Sequence, residues 1–167
     1  MSTPVLTRRA ALTALGAMAF APAAALAQAP GSIRAIQVDV GPLRANMGDP
    51  TAQWVAQSMP PALIEALGPS YVPGDRAGAT LIVRPAWIYL CPSSGGPGVF
   101  GSCQDTITGD LIVKGPRGGV VSETALRAIS TYIPNAVDVA LPVQSNRNRI
   151  DILARTFAGW VPRQLGL

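Results

Sequence analysis

The sequence predicts an α+β domain of two layers, a mixed four-stranded sheet with helices on one face, in the order strand, helix, strand, strand, strand, helix. Three observations predict it. Residues 51–67 and 145–161 carry apolar side chains at helical spacing, one stretch early and one at the C-terminal end. The turn Gly115-Pro116-Arg117-Gly118-Gly119 joins two runs of strand character. A helix between the first strand and the second requires the first to lie parallel to a neighbour, whereas the later three strands follow one another as an antiparallel meander.

Each element has a local reason. Residues 33–40 alternate Ile36, Val38 and Val40 with Gln37 and Asp39, as a half-buried strand requires, and Gly41-Pro42 ends the run. Asp49 stands as a helix cap before Pro50, and Val55, Met59, Leu63 and Leu67 then recur four apart on one face. Pro60-Pro61 interrupts that face and predicts a kink or a second short helix, with Gly68-Pro69 as the stop. Residues 74–78 form a turn. Residues 79–90 read as a central strand, with Leu81, Val83, Trp87 and Tyr89 on one side and Ile82, Ile88 and Leu90 on the other. Pro85 cannot donate to a ladder and points to a bulge. Residues 105–114 place Ile107, Leu111 and Val113 inward, opposed by Thr106, Thr108 and Asp110, and the next strand covers 120–129. In the last helix Ile150, Leu153, Ala154, Phe157, Trp160 and Val161 form the inward face, Arg149, Asp151 and Arg155 face away, and Pro162 closes it.

The N-terminal segment reads as an address. Arg8 and Arg9 precede an uncharged stretch that lasts to Ile33, and Ala25-Leu26-Ala27 offers a small-residue cleavage site before Gln28. Residues 1–27 are therefore expected to be a signal peptide and 28–167 a single mature domain, periplasmic or secreted. The paired arginines partly match a twin-arginine signal, with Ala11 at a position where such signals usually carry Phe. The net charge is +4 in the whole chain, and removal of Arg8 and Arg9 leaves 11 basic against 9 acidic groups. The basic residues are scattered singly, which is no footprint for nucleic acid.

Two cysteines, Cys91 and Cys103, stand in a chain read as exported, where disulfides form and persist. Their pairing is expected to close a loop and to contribute on the order of 3 kcal/mol by restricting the unfolded chain. The other readings, two thiols or half of a metal site, lack any His to complete them.

The element order, from Ile33-Arg34-Ala35-Ile36-Gln37-Val38 to Ala154-Arg155-Thr156-Phe157-Ala158-Gly159-Trp160, resembles the small α/β domains of bacterial envelope accessory proteins. Lipopolysaccharide-assembly lipoproteins and the auxiliary lipoproteins of transport systems are of this kind. The resemblance implies a non-catalytic role with a partner or a lipid. No cysteine adjoins the cleavage site for lipid attachment, and here the chain departs from those families.

With no histidine, a Ser-His-Asp triad, a Cys-His pair and His-based metal ligation all fall away. Lys114, the sole lysine, lies beside the hairpin turn as a solvated charge. Asp105 and Asp110 are five apart in one strand and so point to opposite faces, and Glu123 sits where Lys114 or Arg127 would pair with it at the surface. No catalytic, cofactor-binding or metal-binding residue emerges. The glycine-rich stretch 95–101 joins two strands and contains no basic residue, unlike a phosphate loop. Its Val99 and Phe100 are the candidate binding residues, because a loop this long between strands often binds.

These readings lead first to a non-enzymatic envelope binding or assembly module, whose partner is an envelope protein, a lipid or a second copy of the chain. The alternatives are a small-molecule or lipid carrier, and a carboxylate-based enzyme in which Asp39, Asp105 or Glu123 gathers with Arg84.

Overall fold

A computed structural model describes residues 30–92, 103–133 and 140–167. The expected signal peptide and its cleavage site lie outside these residues, as does the 93–102 segment with Val99 and Phe100. Strands β1 (Ile33–Val38), β2 (Ala79–Tyr89), β3 (Cys103–Lys114) and β4 (Val120–Tyr132) form one sheet in the order β1-β2-β3-β4. β1 runs parallel to β2, and the other two pairings are antiparallel. Helices α1 (Gly41–Met47) and α2 (Thr51–Leu67) connect β1 to β2, and α3 (Pro142–Leu165) ends the chain. The architecture is the mixed sheet with a helical layer that the element order implies.

The core lies between sheet and helices. Leu81, Val83 and Ile88 of β2 and Ile107, Leu111 and Val113 of β3 meet Val55, Met59, Leu63 and Leu67 of α2 and Ile150, Leu153, Phe157 and Val161 of α3. α2 and α3 pack side by side, α2 against β1 and α3 against β3 and β4. Burial of a side chain of this size contributes roughly 1.5–3 kcal/mol, so the two apolar helix stripes account for much of what holds the layers together.

Several boundaries differ from the sequence reading, each for a physical reason. α1 was not expected. Pro42 falls in its first turn, where a missing N–H costs nothing, so Gly41-Pro42 opens a helix instead of merely ending a strand. α1 lies beside the second half of β2, beyond the reach of the shorter β1, and there Nδ2 of Asn46 donates to the Ala86 carbonyl at 2.9 Å. Asp49 does not cap α2. Pro50 takes the cap position without a side-chain bond, and the Asp49 carboxylate accepts from Nε of Arg44 at 3.1 Å. α2 continues through Pro60 and Pro61 as a single helix. α3 likewise continues past Pro162 to Leu165, and Gly166 ends it in the left-handed conformation.

The hairpin between β3 and β4 is built as its glycines require. Gly118 adopts φ +86°, and the N–H groups of Gly115 and Gly118 donate to the Gly119 and Gly115 carbonyls at 2.8 and 2.9 Å. β4 extends to Tyr132, three residues beyond the expected end.

Candidate functional site

The expected bulge lies at Pro85, where the β2–β3 register shifts between Pro85 and Trp87. The extra residue reverses the alternation of side chains along β2. Leu81 and Val83 point to the helices before the bulge, and Ile88 does so after it. Trp87 and Tyr89 therefore turn to the outer face and are 50% and 51% exposed, which corrects their assignment to the same side as Leu81 and Val83. Gly109 stands opposite Pro85, and a Cβ there would lie 2.6 Å from the Arg84 carbonyl oxygen. Only a residue without a side chain lets the bulged strand approach this closely.

At this end of the outer face the register aligns Trp87 with Thr108 and Arg127, and Tyr89 with Thr106 and Ile129. Ile129 is exposed like the two aromatics. Among the described residues no helix lies over this row. The result is an aromatic and aliphatic surface that also carries the Tyr89 and half-buried Thr108 hydroxyls and the Arg127 guanidinium, with Thr106 buried. Further along the same face, Nε of Arg84 binds Oδ2 of Asp39 at 3.1 Å in a partly exposed ion pair.

A buried polar cluster occupies the helix side of the same end. Asp105, 1% exposed, and Arg149, 5% exposed, form an ion pair inside the domain. Arg149 Nε donates to Asp105 Oδ2 at 2.8 Å, and Nη2 donates both to Asp105 Oδ1 and to the Cys91 carbonyl, the latter at 2.8 Å. The Cys91 N–H donates in turn to Asp105 Oδ1 at 2.9 Å, and the guanidinium lies 3.7 Å from the centre of the Tyr132 ring. Four segments meet there: the chain leaving β2, the start of β3, the end of β4 and the first half of α3. The cluster corrects the expectation that Arg149 faces away. The spacing of Arg149, Leu153 and Phe157, four apart, places all three on one inward flank, and that signal was present in the sequence. Trp160, expected inward, is instead exposed on the edge of this flank, beside Arg163.

The carboxylates do not gather around Arg84. Asp39 alone pairs with it, Asp105 belongs to the Arg149 cluster, and Glu123 lies on β4 opposite Ile112. Asp105 and Asp110 do point to opposite faces, as their spacing predicts. Among the described residues no group of three acidic or cysteine side chains is placed to hold a metal ion, and no ion pair holds Glu123 to Lys114 or Arg127. Cys91 is not a free thiol, while the side chain of Cys103 lies outside the described ones.

Among the described residues one carboxyl has a clear shift. The Ser32 hydroxyl, which donates to Asp75 Oδ2 at 2.5 Å, holds the Asp75 pKa below its ordinary value, helped by the Ala77 N–H at 2.9 Å. This fastens the turn before β2 to the start of β1.

No family model matches the chain, and no curated protein matches it. Among solved structures, it is similar to a minor lipoprotein from Acinetobacter baumannii, at 12% identity and a TM-score of 0.42, over 78% of this chain and 94% of that one. It is similar also to rare lipoprotein B from Shewanella oneidensis, at 6% identity and a TM-score of 0.42, over 79% and 93% of the two chains. A lipoprotein from Caulobacter crescentus matches at 12% identity and a TM-score of 0.42, over 78% and 86%. Among the described residues no helix is long and apolar enough to cross a membrane.

Proposed function

We propose that the domain is a non-enzymatic accessory module of the bacterial envelope, periplasmic or secreted after loss of residues 1–27, that binds a protein or lipid partner through the outer face of its sheet. The observation that carries this reading is the outward turn of Trp87 and Tyr89 at the Pro85 bulge. Half-exposed aromatics beside hydroxyl groups supply apolar area together with polar handles, the composition that anchors partner surfaces. Pairing of Cys91 with Cys103 belongs to the same reading. The buried cluster holds the Cys91 backbone against Asp105, two residues along β3 from Cys103, and a covalent link there would fix the ends of the segment that carries Val99 and Phe100.

The test is retention of envelope components by the protein purified from cells that express the full chain, compared with Trp87→Ala/Tyr89→Ala. The double variant is expected to release a partner that the parent retains, with a nearly unchanged thermal midpoint. Equal retention by both proteins would refute the outer face as the binding surface. Mass spectrometry of the same preparation is expected to find Gln28 as the first residue and a Cys91–Cys103 disulfide.

A further inference from the structure

β4 is an edge strand of an unusual kind. It runs 13 residues, contains no proline, glycine or lysine, and among the described residues has only β3 beside it, which leaves its other side available to a further strand. Edges of this length are normally blunted by charge, proline or bulges along the strand. Here the one register shift among the described pairings falls at Val121, at the turn end of the strand, and the two charges, Glu123 and Arg127, are of opposite sign. On the outer face β4 presents Val121, Glu123, Ala125, Arg127 and Ile129, all exposed.

We propose that a second copy of this chain pairs with β4 antiparallel, about a two-fold axis through Ala125, and continues the sheet from four strands to eight. The spacing chooses both occupant and register. With Ala125 opposite its own counterpart, Glu123 of each copy faces Arg127 of the other, and Val121 faces Ile129. Centring the pairing on Glu123 or Arg127 sets like charges opposite each other, and centring it on Thr124 or Leu126 separates Glu123 from Arg127. Within one chain neither side chain has an ion-pair partner among the described residues.

The helix layer supports the same contact. Arg149 stacks on Tyr132 of β4, so its flank of α3 lies over the edge strand. Ile152 and Trp160 follow on that flank at spacings of three and eleven residues, and both are exposed. A two-fold axis beside β4 brings these flanks from two copies toward each other, so sheet edge and helix flank bury apolar surface together. Pairing through β4 leaves Trp87 and Tyr89 open, so the dimer stands or falls apart from the binding role of the outer face.

Sedimentation velocity at micromolar concentration tests the proposal on protein from cells that express the full chain. The parent is expected to sediment as a dimer. Glu123→Arg and Arg127→Glu each set like charges across the axis and are expected to shift it to monomer with unchanged circular dichroism, and the double variant Glu123→Arg/Arg127→Glu is expected to restore the dimer. Ala125→Cys is expected to form an interchain disulfide under mild oxidation, because its Cα would lie about 4.5–5.5 Å from its counterpart. A monomeric parent, or single variants that remain dimeric without an Ala125→Cys cross-link, would overturn it.

Discussion

Arg149 and Asp105 have left water for a site where each depends on the other and on the Cys91 backbone. Removing one member of such a pair strands the second charge, at a cost of about 3–5 kcal/mol. Asp105→Asn and Arg149→Met are each expected to lower the unfolding free energy, read from denaturant titration, by an amount of that order. The double variant Asp105→Asn/Arg149→Met is expected to recover part of the loss, and strictly additive losses would show that the pair does not act as a unit. Asp75 behaves differently because it is at the surface. Its folded pKa is below the ordinary value near 3.8, so its bonds to Ser32 and Ala77 favour the folded state above that pH. The contribution is lost as pH falls from there through the folded pKa. Ser32→Ala removes the largest cause, so the stability difference between variant and parent is expected to shrink on acidification from roughly pH 5 to pH 2, as read from thermal midpoints. A constant difference would place the effect of Ser32 elsewhere.

The elements show why some of the architecture was legible in the sequence and some was not. The α2 stripe and the inward row Ile107, Leu111 and Val113 follow from spacing alone, because each repeats over two or more turns or pleats, and the Gly115–Gly119 hairpin follows from the turn chemistry of its glycines. Trp87 and Tyr89 were misplaced even though Pro85 signalled the bulge. One inserted residue inverts every side chain beyond it, and a signal for an irregularity does not state its length. Pro50 marks the start of α2 as expected, but Pro60, Pro61 and Pro162 stand inside helices that tertiary contacts stabilise, so proline marked interruptions poorly in this chain. Gly109 offered the missing constraint, since a glycine within an apolar strand marks a close backbone approach. Gly109→Ala is expected to destabilise the domain by roughly 1–3 kcal/mol, as overpacking does. A neutral effect would mean that the bulge relaxes. The candidate site was the least legible, because it depends on this inversion and on a contact between Asp105 and Arg149, which lie far apart in the chain.

In the whole molecule, the layers divide the work. The helical side holds the apolar core and the buried ion pair, and the outer side keeps its aromatics in solvent, so changes on the two sides are expected to affect stability and binding separately. The strand order also sets a sequence of events in folding. β2, β3 and β4 join neighbours in the chain, whereas Ile33 finds Ala79 only after both intervening helices have been gathered in. Contacts that close long segments carry their entropic cost before they return any stabilisation, so they tend to form late. The meander is therefore expected to be the folding nucleus and β1 the last strand to dock. In a stopped-flow chevron, Ile107→Val should slow refolding, while Ile36→Val should chiefly hasten unfolding, and the reverse pattern would place the parallel pair first. A strand that docks last is also the first to leave. The β1 amides are then expected to exchange with deuterium through a partial opening that spares the hairpins, making the N-terminal edge the point where this domain begins to come apart.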